Sequence, residues 1–323
     1  MLDFRVICVD SPTFSPRDRC PTSRLSRAAG ARSGIVKAED LSMQRQLIFD
    51  IGMCNGDDDA YYLRKGFDVI AVEANPLLCE QCRQRFSQEI SEGRITIVNA
   101  GILERPGDFT FYENVTEPGW SSFTAGGRVG GAGDWRERRV TCITTLDLIQ
   151  RYGSPFYIKV DIEGADLQAL KTLDGPLAPP YISVELDRED PILEALIDLG
   201  YSAFKFVDGL NYRPAPPIFD NEIGWRLLRK ACHSFPPFKG VVAKLPPILR
   251  TKDYFNPPGK FSPDGYAFTD YCSGPFGEET AGRWLRPAEA MKWFRKFQKG
   301  LNSSKAMQSF WWDVHARHGS VAQ

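Results

Sequence analysis

No run of apolar residues in this chain approaches the roughly 20 that a membrane-crossing helix needs. No apolar core precedes a small-residue cleavage site near the start either, so the chain reads as soluble and cytoplasmic. An excess of one charge is also lacking: 40 Lys and Arg stand against 41 Asp and Glu. The basic residues are scattered and form no stripe, which gives a nucleic-acid partner no support. Cysteine occurs eight times without regular spacing, and a chain of 323 residues is too large to need disulfide staples. Cys79 and Cys82 make one CxxC with no second pair and no His at zinc-finger distance; they read as reduced thiols on an amphipathic helix. There is no internal repeat and no low-complexity tract.

Residues 1–42 are rich in Arg, Ser and Pro and carry little periodicity, so they are expected not to pack. Asp3, Asp10 and Asp18 count against a transit peptide, and Met43 is an alternative start. From there, short apolar runs alternate with helical stretches, the pattern of a parallel sheet with crossover helices. Strands are expected at 47–51, 68–72, 94–98, 156–160, 181–185 and 201–207, with a seventh at 240–244. Helices are expected at 57–65, from Pro76 to about 90, at 164–173 and at 191–199. Residues 109–112 and 139–143 look like an inserted antiparallel pair, with a glycine-rich excursion, 119–133, between them. The composition after 207 turns to Pro, Gly and aromatics, and a last helix is expected near 287–298. The resulting expectation is an α/β, Rossmann-like domain over 43–245 with a seven-stranded, mostly parallel sheet. Residues 246–323 would form a C-terminal extension that caps the domain or faces substrate.

The chemistry gathers at the ends of the strands. Asp50, Gly52 and Gly56 span the turn from the first strand into a helix. Glycine there lets the backbone bend sharply and a ligand come close. Glu73 closes the second strand, where a carboxylate accepts both hydrogen bonds of a ribose diol. Together they indicate a nucleoside cofactor. A pyrophosphate would sit on the helix N-terminus, but here the helix opens with Asp57, Asp58 and Asp59, which would repel it. S-adenosylmethionine is cationic and suits the same acids, although capping and complementing the helix dipole explain at least two of them. Asp161 and Glu163 close the fourth strand, placed to hold the cofactor ammonium, orient an acceptor or take its proton. Lys159, on the opposite face from Val160, is either a partner for a carboxylate such as Glu185 or a solvated sheet residue. Asn99 follows the third strand and is either an adenine contact or part of an Asx-turn.

Asp50-Ile-Gly-Met-Cys-Asn-Gly-Asp-Asp58, Val72-Glu-Ala-Asn-Pro76, Ile158-Lys-Val-Asp-Ile-Glu-Gly-Ala165 and Ile182-Ser-Val-Glu185 together resemble the FkbM family of methyltransferases. The blocks keep the family's order over residues 47 to about 207. The resemblance implies S-adenosylmethionine as cofactor and O-methylation of a hydroxyl on a sugar, glycolipid or polyketide-like acceptor. It adds Asp58 and Ser122, the latter in a Trp-Ser-Ser segment similar to one near the family's cofactor. The family commonly has Asn where this chain has Cys54, so Asn55 stands as a substitute contact. Ser273 to Glu278 is a turn that either lines an acceptor pocket or packs as an aromatic corner. His315, two residues past Asp313, is a candidate general base. No third metal ligand is evident beside Asp161 and Glu163, so metal independence is expected. The alternatives are a nicotinamide-dependent Rossmann oxidoreductase and a catalytically inactive cofactor-binding module.

Overall fold

A computed structural model of the chain describes residues 45–125, 134–186, 191–214, 260–270, 272–303 and 311–321. The expected N-terminal segment, the strand expected at 240–244 and the 126–133 part of the glycine-rich excursion lie outside these residues.

The strands are β1 (Leu47–Ile51), β2 (Asp68–Glu73), β3 (Ile95–Asn99), β4 (Gly101–Ile102), β5 (Gly107–Asn114), β6 (Trp135–Ile143), β7 (Tyr157–Val160), β8 (Tyr181–Glu185), β9 (Tyr201–Asp208) and β10 (Trp312–His318). The helices are α1 (Asp57–Arg64), α2 (Pro76–Arg85), α3 (Ser87–Ser91), α4 (Thr145–Tyr152), α5 (Asp166–Leu170), α6 (Ile192–Asp198) and α7 (Pro287–Ser303). Three differences from expectation have local causes. The helix begun at Pro76, capped by the Asn75 side chain on Leu77 N–H, breaks at Phe86, whose ring packs beneath Gly56. The stretch expected to be helical from Gly164 starts only at Asp166, because that carboxylate takes Ile162 N–H and Gly164 N–H into a turn. The unexpected α4 opens on a capping box, in which Thr144 and Asp147 satisfy each other's backbone amides.

Seven strands form the main sheet in the order β3-β2-β1-β7-β8-β10-β9. All neighbours are parallel except β10, which runs antiparallel to β8 and β9. The seventh strand of the described sheet is therefore Trp312–His318. Residues after 246 contribute a strand and a helix to the fold, not only a cover. The inserted pair is seen as β5 against β6, joined by β4 in a small second sheet.

Alternation along each strand gives the main sheet two different faces. One carries Phe49, Ile51, Ile158, Val160, Val184, Phe204, Phe206 and Val314, packed with Leu148 of α4, Leu193 and Leu196 of α6, and Trp293 and Phe294 of α7. The other places Ile48, Val69, Ala71, Tyr157 and Tyr181 against Tyr61 and Tyr62 of α1, Cys79 and Cys82 of α2, and Phe268 and Phe276. The register sets Asp50, Lys159, Ser183, His315 and Lys205 in one row on this second face. A polar row of this kind inside a mostly parallel sheet has to be satisfied internally.

Candidate active site

Strand order reverses between β2 and β7 on the two sides of β1, which opens a crevice at the carboxyl ends of the strands. Gly52 sits there at φ 94. A β-carbon at Gly52 would lie 1.8 Å from the carbonyl oxygen of Asp161, so its room is taken by the turn after β7 and is not left for a ligand. Gly56, at φ 80, is the N-cap of α1, and a β-carbon there would stand 2.5 Å from the Phe86 ring. Both glycines thus answer to packing within the protein, which corrects the ligand-approach reason expected for them. Cys54 also has a left-handed φ of 51, a conformation that suits Asn better than Cys. Cys54 N–H donates to Glu73 Oε2 at 3.0 Å and Asn75 N–H donates to Oε1 at 2.7 Å. Glu73 is thus oriented by backbone amides at the end of β2, and the contribution of position 54 to it is main-chain. Burial raises the Glu73 pKa against those hydrogen bonds.

The three aspartates opening α1 have different partners. The N-cap, Gly56, has no side-chain cap hydrogen bond, so capping by these acids is corrected; their position still complements the dipole. Asp57 accepts from Thr269 Oγ1 at 2.6 Å and pairs with Arg85 at 2.7 Å. Asn55 is spent locally, donating to Asp57 Oδ2 and accepting from Asp57 N–H. Asp58 is buried and accepts Ser273 N–H at 2.9 Å. Asp59 is buried beside Asp50, and burial followed by the Asp50 charge pushes its pKa far up. Asp50 is itself fully buried, and burial lifts it to about 7.

Lys159 is not a solvated sheet residue: it reaches carboxylates, as the other expectation had it, and those placed nearest are Asp50, Asp58 and Asp161. It is 3% exposed, donates to the Gly52 carbonyl at 2.8 Å, and stands 3.2 Å from Asp50, 3.5 Å from Asp58 and 3.9 Å from Asp161. Burial opposes its charge, but these three carboxylates outweigh burial and hold the ammonium charged far above its usual range.

Asp161 follows β7, and Glu163 takes a left-handed φ of 50 in the next turn. The Ser122 hydroxyl donates to the Glu163 carbonyl at 2.7 Å, so Ser122 acts on the loop that presents Glu163. Asn99 makes no Asx-turn; its amide donates to the carbonyls of Glu73 and Ala74. Carboxylate oxygens of Asp161, Glu163 and Glu185 lie within 4.8 Å of one another. The premise of the metal-independence expectation, a missing third ligand, therefore does not hold.

His315 is corrected as a general base. It lies in mid-strand on β10 between Ser183 and Lys205, is 1% exposed, and is driven down to about 3 by burial and then by Lys205. A group so placed does not reach an acceptor in the crevice. Ser273 to Glu278 is the aromatic corner: Phe276 stacks on Tyr157 with ring centroids 4.2 Å apart. Cys79 and Cys82 are buried free thiols. Sequence reasoning missed Asp59, Glu185 and Asp313 as members of the polar cluster. The period-two pattern of Trp312, Val314 and Ala316 against Asp313, His315 and Arg317 was the available signal for β10.

This sheet order and its acidic crevice define a Rossmann-like methyltransferase fold. Residues 50–202 match the family described as the methyltransferase FkbM domain. No curated protein matches the chain. Among solved structures it is similar to methyltransferase FkbM from Methylobacillus flagellatus KT, at 18% identity over 48% of this chain and 37% of that one, TM-score 0.34. It is similar also to precorrin-6y C5,15-methyltransferase from Geobacter metallireducens GS-15, at 16% identity over 52% and 70%, TM-score 0.29. A third is PKMT2 from Rickettsia typhi in complex with AdoHcy, at 13% identity over 86% and 50%, TM-score 0.27. The match spans 37% of the length of the Methylobacillus flagellatus protein.

Proposed function

We propose that the chain is an S-adenosylmethionine-dependent O-methyltransferase acting on a hydroxyl of a sugar, glycolipid or polyketide-like acceptor. The observation that carries this reading is Glu73, held by two backbone amides at the end of β2 beside a crevice rich in carboxylates. One buried lysine faces Asp50, Asp58 and Asp161 there. That donor set fits a cationic cofactor and disfavours a pyrophosphate, which weighs against the nicotinamide alternative.

When bound, S-adenosylmethionine supplies a methyl group on a sulfonium that departs as a neutral thioether. The residues of the chain bind and orient. Glu73 accepts hydrogen bonds from the ribose diol, with Asn99 fixing the loop that presents it. Asp161 and Glu163 hold the acceptor hydroxyl and take its proton as its oxygen bonds to the methyl carbon. His315 has no part in this.

Calorimetric titration of the full chain tests the reading. S-adenosylhomocysteine is expected to bind and NAD not to. Binding of NAD alone would put the oxidoreductase in its place. Cofactor binding with no methyl transfer to any glycan or lipid extract would favour an inactive binding module.

A further inference from the structure

We propose that Asp161, Glu163 and Glu185 form a binding site for a hard divalent cation of the magnesium and manganese(II) class. Their carboxylate oxygens lie within 4.8 Å of one another, a separation that one ion with oxygen ligands at about 2.0–2.6 Å bridges. All three ligand groups are hard anionic oxygens, which select this class over softer metals. They also come from defined places: Asp161 directly after β7, Glu185 at the end of the adjacent β8, and Glu163 from the turn between. Extending the β7–β8 register by one residue sets Asp161 beside Glu185 on the same sheet face as Lys159 and Ser183.

A second observation is Asp313. It is the cross-strand partner of Glu185, so its side chain lies on the same face at the same edge. It is 3% exposed. Oδ1 accepts from Trp311 Nε1 at 3.1 Å, while Oδ2 is buried with no hydrogen-bond partner. An oxygen buried without a partner beside like charges is costly, and a cation offsets that cost. Lys159 does not fill the role. Its bond to Gly52 and its nearer pairs with Asp50 and Asp58 hold it on the β1 side, and it stays 3.9 Å from Asp161.

The turn is also built for a fixed geometry. Glu163 adopts a left-handed conformation that costs a non-glycine residue on the order of 1 kcal/mol. Ser122 on its carbonyl and Asp166 on the amides of Ile162 and Gly164 keep it there. In a role that rests on the proposed methyl transfer, the ion would bind the acceptor oxygen, and the hydroxyl proton would pass to the oxygen of Asp161 or Glu163 that the ion leaves free.

The test is a manganese(II) titration of the full chain without cofactor, read by loss of the free-ion electron paramagnetic resonance signal, with magnesium as competitor. One ion per chain is expected, displaced by magnesium. Glu185→Gln is expected to weaken binding more than roughly tenfold and Asp313→Asn by a smaller factor. Glu92→Gln, at an exposed position remote from the cluster, should bind as wild type does. Manganese(II) should raise the melting temperature of wild type and not that of Glu185→Gln, which also reports that the variant folds. No binding at millimolar manganese(II), or equal binding by wild type, Glu185→Gln and Glu163→Gln, would overturn the proposal. Calorimetry with S-adenosylhomocysteine on the same samples separates the two readings, because either ligand can bind when the other does not.

Discussion

Lys159 Nζ stands 3.5 Å from Asp58 Oδ2, and both side chains are almost wholly buried. This pair fastens the middle of β7 to the first turn of α1, and Asp58 in turn holds Ser273 N–H. One ammonium thus links the sheet, α1 and the segment that covers them.

Replacing Lys159 leaves Asp50 and Asp58 buried without their shared cation. Lys159→Met is expected to destabilise folding by about 3–5 kcal/mol, the usual cost of breaking a buried pair from one side. Urea unfolding monitored by circular dichroism measures it. A loss under about 1 kcal/mol would show that the carboxylates are neutral and need no partner.

Gly52 and Gly66 have almost the same φ, 94 and 91, but differ in surroundings. A β-carbon at Gly66 meets nothing within 4 Å, and one at Gly52 meets the Asp161 carbonyl at 1.8 Å. Gly66→Ala should therefore cost only the left-handed penalty, about 1–2 kcal/mol. Gly52→Ala should cost more than about 4 kcal/mol or prevent folding. Equal melting temperatures for the two variants would mean that the β1 and β7 turns do not touch.

His315 links stability to pH. Its ordinary value is 6.5 and its folded value about 3, so between these the unfolded chain binds more protons. Stability from this group is present above pH 6.5 and is lost as pH falls toward 3. Asp50, raised to about 7, acts in the opposite direction over part of that window. The informative quantity is therefore the difference between wild type and His315→Leu, in which the acids cancel. Going from about pH 6 to pH 4, wild type should lose about 2 kcal/mol relative to the variant. Parallel denaturation curves across that range would contradict a buried, neutral His315.

The parts of this molecule that sequence made readable are those in which local pattern and fold agree. β1, β2 and the turn between β1 and α1 combine short apolar runs with glycine at positive φ, and Glu73 closes β2 where the alternation ends. The parts that were hidden depend on register between distant segments. Glu185 comes beside Asp161 only because β7 and β8 pair in parallel, and Asp313 comes beside Glu185 only because β10 inserts from the far end of the chain. His315 looked reactive because its neighbours in sequence are polar, but in a strand those neighbours alternate sides, and its own side is closed. Lys159 was ambiguous for a related reason: a lysine inside a buried parallel strand demands acids, and these come from β1, from α1 and from the end of β7 itself, with Asp58 resembling an ordinary helix-terminus charge.

The central claim is that Glu73 reads the ribose of a nucleoside cofactor, and the measurement that tests it most directly is calorimetric titration of Glu73 variants with S-adenosylhomocysteine. Glu73→Ala removes a charge-assisted bidentate acceptor, so affinity should fall roughly 10- to 100-fold. Glu73→Gln keeps the side-chain volume and one acceptor oxygen and should fall between that and wild type. Turnover at saturating S-adenosylmethionine should change far less, because the ribose contact is the same before and during transfer. If Glu73→Ala bound S-adenosylhomocysteine as tightly as wild type while remaining folded, the nucleoside site would not lie at the end of β2, and the proposed function would fall with it.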